Sequence, residues 1–223
     1  MNGVVGDILP VALGVAISPV PIIAAILMLL SPKARVTSVG FLLGWVLGIV
    51  LASTIFTLLA SVLPDSGEDE SAPVKGVIQL ALGALLLLLA VRNWRNRPKP
   101  GEEPEMPKWM GAIDSMSFFG AAGLGILLSG VNPKNLLLSA SAGVTIGSAA
   151  LGTGATIGAI AIFTVIAAST VLVPVLAYLL AADRLRGPLD ALREWLAKQN
   201  ALIMAVLLLV LGVVVIGKGI GSF

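Results

Sequence analysis

The chain has 223 residues, 57% of them hydrophobic and only 12% charged, and its mean hydropathy is +1.03. A soluble domain usually carries about 25% charged residues, so the composition is that of an all-α integral membrane protein. There is no cysteine and no histidine, which excludes disulfides, Cys/His zinc sites, His-ligated haem and every catalytic scheme built on either side chain, and a net charge of +2 points to no nucleic-acid partner.

In chain order, six apolar segments approach the ~20 residues that cross a bilayer. The first covers about 5–30 and contains ISPVPI. No basic residue precedes it, whereas a cleavable signal opens with a basic segment, so this stretch is expected to stay as a helix. The second covers about 38–62, the third about 74–91 and the fourth about 117–142, with GVNPKN inside it. The fifth covers about 153–180 and the sixth about 200–220. Between the fifth and sixth, Leu189, Leu192, Trp195 and Leu196 share one helical face behind Pro188. Segment 183–199 therefore reads as an amphipathic helix at the membrane surface.

The loops set orientation. Lys and Arg number 2, 1, 5, 0 and 4 in the five successive loops, and basic residues concentrate in short cytoplasmic loops. Odd loops are expected inside and both termini outside the cytoplasmic membrane. The third loop carries Pro98, Pro100, Pro104 and Pro107, too many for a continuous helix. Residues 92–116 thus form a cytoplasmic linker between a first three-helix unit, 1–91, and a second, 117–223.

A shift of 114 residues places Pro19 on Pro133, Ser18 on Asn132, Gly40 on Gly154 and Gly44 on Gly158. The shared layout is a polar residue and a proline inside the first span of each unit, followed by G-x-x-x-G in the next. Because the first unit starts outside and has three spans, the second starts inside. The two would be inverted repeats, a plan common among secondary transporters. Proline removes a backbone donor, and carbonyls freed at membrane depth must meet protein or a watery cavity. Ser18, Pro19 and Pro21 in span one, with Asn132, Pro133, Lys134 and Asn135 in span four, are the candidate substrate-binding residues. Simple kinks are the alternative reading of the prolines. Gly40/Gly44 and Gly154/Gly158 allow close helix approach, for packing between the units or for a homodimer.

Lys134 is the one charged residue between Asp114 and Asp183. A charge at the bilayer centre costs ~2.5–3.5 kcal/mol on insertion scales and marks a functional candidate. No embedded Asp or Glu stands ready to pair with it, because Asp7 and Asp114 lie near span ends. The ammonium is expected to meet an acidic substrate group; alternatively it snorkels outward or caps carbonyls released by Pro133. Methionine at this position is expected to fold at least as well as lysine.

These residues carry a resemblance. Six spans, Pro-x-Pro at Pro19 and Pro21, and Asn132-Pro133-Lys134 resemble the LysE superfamily of exporters, and the long linker with SPVPI and NPKN looks most like its GAP branch, the sulfolipid- or glycopeptidolipid-addressing proteins. Val20 stands where the superfamily usually has glycine. The resemblance implies a transporter or flippase moving an anionic amphiphile, such as a glycolipid or lipid precursor, outward across the bacterial inner membrane. Its other implications are efflux of amino acids or ions, or an accessory protein recruiting lipid-synthesis enzymes. Without His, Cys or a deep carboxylate, the usual acid–base groups are missing and no enzyme is expected. No metal, no cofactor and no ATP-binding motif is expected either; the partners are membrane lipids and the substrate.

Overall fold

Proline punctuates the helices. In the computed structural model, which describes residues 2–62, 67–97 and 108–223, α1 (Asn2–Ala16) ends with Ile17 and Ser18 still to come before Pro19, and α2 (Pro19–Leu30) begins on that proline. The missing N–H of Pro19 is harmless at the first position of a helix but would break one in its interior. The two axes differ by 53°. Then come α3 (Ala34–Ser61), α4 (Gly67–Arg95) and a short 3-10 helix, Lys108–Ser115. The prolines expected to open the linker, Pro98 to Pro107, lie outside the described residues, as do residues 63–66 of the second loop.

The second unit repeats the device. Helix α5 (Phe118–Ile126) widens into a π segment, Leu127–Val131, before α6 (Pro133–Gly147) starts on Pro133. Helices α7 (Thr153–Ala182) and α8 (Arg184–Ile220) follow, separated by non-helical torsions at Ala181. Helix α8 is unbroken, so segment 183–199 does not form a helix of its own but extends the last span. Leu189 and Leu196 are buried while Leu192 and Trp195 are exposed. The apolar face is thus divided between the protein core and the surroundings.

Four helices, Ala34–Ser61, Val74–Arg95, Thr153–Ala182 and Arg184–Ile220, are each long and apolar enough to cross a membrane. The bent pair α1–α2 makes a fifth when counted as one span. No strand occurs among the described residues. Exposed Leu43, Leu47, Leu51 and Ile55 recur every fourth residue along α3. That stripe suits hydrocarbon, since soluble proteins rarely expose such contiguous apolar surface. The chain is a multi-pass, all-helical membrane protein.

Glycine sets how the units meet. A Cβ at Gly40 would press on the Phe118 carbonyl, and one at Gly44 would collide with the Ala122 backbone. Farther along α3, Gly48 lies against Ser129, and Gly143 of α6 packs on Phe56 and Thr57. The broken helix α5–α6 therefore runs beside α3 in the same direction, with glycines at the closest approaches. Gly154 and Gly158 behave differently. Nothing lies within 4 Å of a Cβ built at either, so among the described residues these two pack against no helix.

Candidate functional site

At the first break the backbone leaves its helical pattern one residue early. The Ser18 N–H turns to the Ala16 carbonyl at 2.9 Å instead of reaching Gly14, four residues back. Pro19 brings no N–H for Val15. The Gly14 carbonyl is thus released inside the protein, where an unpaired carbonyl costs several kcal/mol at membrane depth. Lys134 Nζ donates to it at 2.7 Å, across 120 positions of sequence. Two residues on in the same stretch, Thr170 Oγ1 of α7 donates to the Ala16 carbonyl at 2.6 Å. Gly14 itself has no side chain to hinder this approach; a Cβ there would overlap Leu211 and come within 3.0 Å of Leu138.

The second break is arranged from its own residues. The Asn132 N–H closes a five-residue turn on the Leu127 carbonyl at 3.0 Å, which defines the π segment. Leu128 consequently loses its usual donor, and Asn135 Nδ2 supplies one at 2.8 Å. Asn132 Oδ1 accepts from the Lys134 backbone N–H at 3.1 Å, capping α6. The two rescued carbonyls, Gly14 and Leu128, are themselves related by the 114-residue shift.

The candidate residues divide accordingly. Lys134 is 2% exposed and Asn135 is fully buried; Lys134 neither snorkels nor caps a carbonyl of its own break. Asn132 is half-buried and occupied as a helix cap, and Pro133 is exposed. Ser18, Pro19 and Pro21 are buried, and Ser18 makes no side-chain capping bond. Gly14, Leu128 and Thr170 belong to the site although sequence reasoning passed over them. Position Gly14 could have been found from Ser18, because the carbonyl four residues before a break is the one exposed.

Chemically, the arrangement is a primary ammonium with three N–H donors and, among the described residues, one bonded acceptor. The ion pairs among those residues are Arg193–Asp190 and Lys218–Asp7; neither involves Lys134. Close by, Asn135 Oδ1 and Ser139 Oγ are buried without a hydrogen-bond partner. They lie four residues apart on α6, hence on one face. Two cavities stand out in the structure. One of about 600 Å³ is lined by Thr54, Thr57, Ser61, Lys75, Ser148 and Thr156, where α3 and α6 end and α7 begins. The other, about 550 Å³, lies between α1 and α8 and includes Gly14. No group of His, Cys, Asp or Glu able to hold a metal ion occurs among the described residues.

The family model described as Sap, sulfolipid-1-addressing protein, matches residues 8–221. The chain belongs to that family. The match spans both breaks and the linker between them, so the sulfolipid-1-addressing family model covers the whole site. No curated protein and no solved structure matches the chain.

Proposed function

We propose that this member of the sulfolipid-1-addressing family is a transporter or flippase that moves an anionic amphiphile outward across the cytoplasmic membrane. The observation that carries the reading is the buried amine of Lys134, which sits on the broken helix of one unit and binds a carbonyl freed at the break of the other. An acidic headgroup offers that amine a stronger acceptor than a neutral carbonyl does, because charge-assisted hydrogen bonds are about twice as strong. Exchange of one acceptor for the other would uncouple the two breaks. Substrate binding and movement of the units are then the same event.

Six spans in two inverted repeats fit this scheme. The broken pair α5–α6 lies along α3, and the broken pair α1–α2 packs against the stretch Thr153–Ile220 that holds α7 and α8, so each broken pair rests on helices of the other unit. Sites where broken helices of inverted repeats meet are typical of secondary transporters, as the resemblance to the LysE exporters implies. Both termini would face outward. We assign no catalytic step.

The test is flux through purified, full-length protein in vesicles, read as outward movement of a radiolabelled anionic glycolipid. Wild type is expected to move it, Lys134→Met to lose the flux, and Lys134→Arg to keep part of it, since charge survives while geometry changes. A folded Lys134→Met protein with normal flux would sink the role of the amine. Absence of flux in wild type would favour an accessory protein that recruits lipid-synthesis enzymes.

A further inference from the structure

Helices α1 and α8 pack antiparallel, with Asp7 beside Lys218 and Gly14 beneath Leu211. Lys218 Nζ lies 3.3 Å from Asp7 Oδ1 and also donates to the Asp7 carbonyl. Just below this ion pair the helices part, leaving the second cavity, a groove of about 550 Å³. Leu13 and Ile17 form one wall, Val206 and Val210 the other, and Gly14 and Leu211 the floor. All ten lining residues are apolar. The four wall residues are each about half exposed, so the groove opens sideways. It follows α8 from Leu202 to Leu211, roughly 14 Å at 1.5 Å per residue.

The surroundings decide what fills it. Both walls belong to the apolar helices that carry the chain through the membrane, where the solvent is hydrocarbon. A cleft without a single polar side chain gives water none of the two to four partners that an enclosed water needs. The ion pair at the upper end marks the depth at which lipid headgroups begin, and the groove descends from there along the direction in which acyl chains lie. Its volume falls within the ~300–1,000 Å³ of ordinary ligand sites.

We propose that the α1–α8 groove seats one acyl chain of a membrane lipid. Its role as the lateral door of transport rests on the flippase reading above, whereas its occupancy does not. Gly14 gives the seat a connection to the inner site. It floors the groove on one side and offers its carbonyl to Lys134 on the other. A chain settling against Gly14 therefore lies one residue from the buried amine. Asp7 balances Lys218, so the entrance sorts by the apolar tail, and discrimination for acidic heads falls to Lys134.

Full-length protein would be placed in phosphatidylcholine vesicles containing phosphatidylglycerol with a diazirine on one acyl chain, irradiated, and mapped by mass spectrometry. Adducts at Leu13, Ile17, Val206 and Val210 are expected to exceed those at Leu43, Leu47, Leu51 and Ile55 several-fold. The α3 stripe is just as exposed but lines neither of the two cavities described above. Val206→Trp, a substitution on a lipid-facing surface, is expected to bring groove labelling down to the α3 level, while Leu47→Trp leaves it unchanged. Equal labelling of the two faces overturns the seat. So does a Val206→Cys protein whose copies cross-link to each other through the groove without lipid adducts, because a second chain would then be the occupant. Labelling needs no transport. Loss of the Lys134-dependent flux with groove labelling intact would sink the flippase reading alone, and even labelling with flux intact would sink the seat alone.

Discussion

The two breaks differ in who repairs them. Both use proline to end one helix and start another, and both free a carbonyl at the same repeat position. At the second, the repair is local: Asn135 holds Leu128, and Asn132 caps the helix that follows. At the first, Val20 and Pro21 occupy the places of Lys134 and Asn135, and neither side chain can donate. Its carbonyls are held from the other unit by Lys134 and Thr170. One break is self-sufficient and the other is dependent. The lesson is that two breaks of like layout can differ in where their polar chemistry sits: one carries its own donors and the other borrows them.

The largest test of that asymmetry concerns the glycines. Gly44→Val drives atoms into the Ala122 backbone, which cannot yield as a side chain would, and a cost of about 3 kcal/mol or more is expected. Gly158→Ala, its repeat partner, meets nothing and should change stability by less than about 1 kcal/mol, in the stabilising direction because alanine favours helix. Thermal unfolding in detergent compares them. Equal losses would mean that the second glycine pair is packed after all.

Next in size is Lys134→Met. From sequence it was expected to fold at least as well as the parent, because a buried charge disappears. The Gly14 contact alters that balance, since a buried carbonyl left without its donor costs about 1–3 kcal/mol. A net loss at the lower end of this range is expected, and it should be local. Ser18→Cys introduced as a reporter should react faster with a thiol reagent in the Lys134→Met background, while Asn132→Cys should not. Acceleration at both positions, or at neither, would show that the lysine does not hold the first break in particular.

The smallest effects distinguish Asn132 from Ser18. Asn132→Ala removes a helix cap, worth about 1 kcal/mol. Ser18→Ala removes no capping bond and should stay within about 0.5 kcal/mol. A comparable loss at Ser18 would reveal a hydrogen bond made in another state of the protein.

Much of this was legible in the chain itself. Pro19 and Pro133 each open a new helix, which their missing N–H permits, although proline alone does not set a break, since Pro10, Pro174 and Pro188 lie inside helices. The apolar runs mark the membrane. That Lys134 would stay inside could be suspected from its isolation among uncharged residues. Its acceptor could not, because the pairing with Gly14 depends on how α6 crosses α1 rather than on any spacing. Periodicity says less in two places. G-x-x-x-G at Gly154 and Gly158 looks the same as at Gly40 and Gly44, yet a glycine spacing names no partner. The face through Leu189 and Trp195 suggests a surface helix; the backbone from Arg184 runs on helically through Pro188 into the last span, and the face is split between buried Leu189 and Leu196 and exposed Leu192 and Trp195. Gly48 extends the Gly40/Gly44 spacing, and Gly143 with Gly147 forms a further G-x-x-x-G that packs on Phe56, Thr57 and Ala60; the spacing alone does not tell these packed pairs from the unpacked one.

The bond between Lys134 and Gly14 also has a bearing on biosynthesis. A lysine entering the membrane within an apolar span carries an insertion penalty of ~2.5–3.5 kcal/mol, and chains are made and folded from the amino terminus. By the time α6 leaves the ribosome, α1 has been in the bilayer for more than a hundred residues of synthesis, its broken end offering a bare carbonyl. The acceptor is therefore installed before the donor arrives. With the order reversed, an embedded ammonium would wait in lipid through the translation of half the protein, exposed to expulsion and quality control. The placement of the bare break in the earlier half and the lysine in the later one gives the nascent chain a docking point for its least membrane-compatible residue.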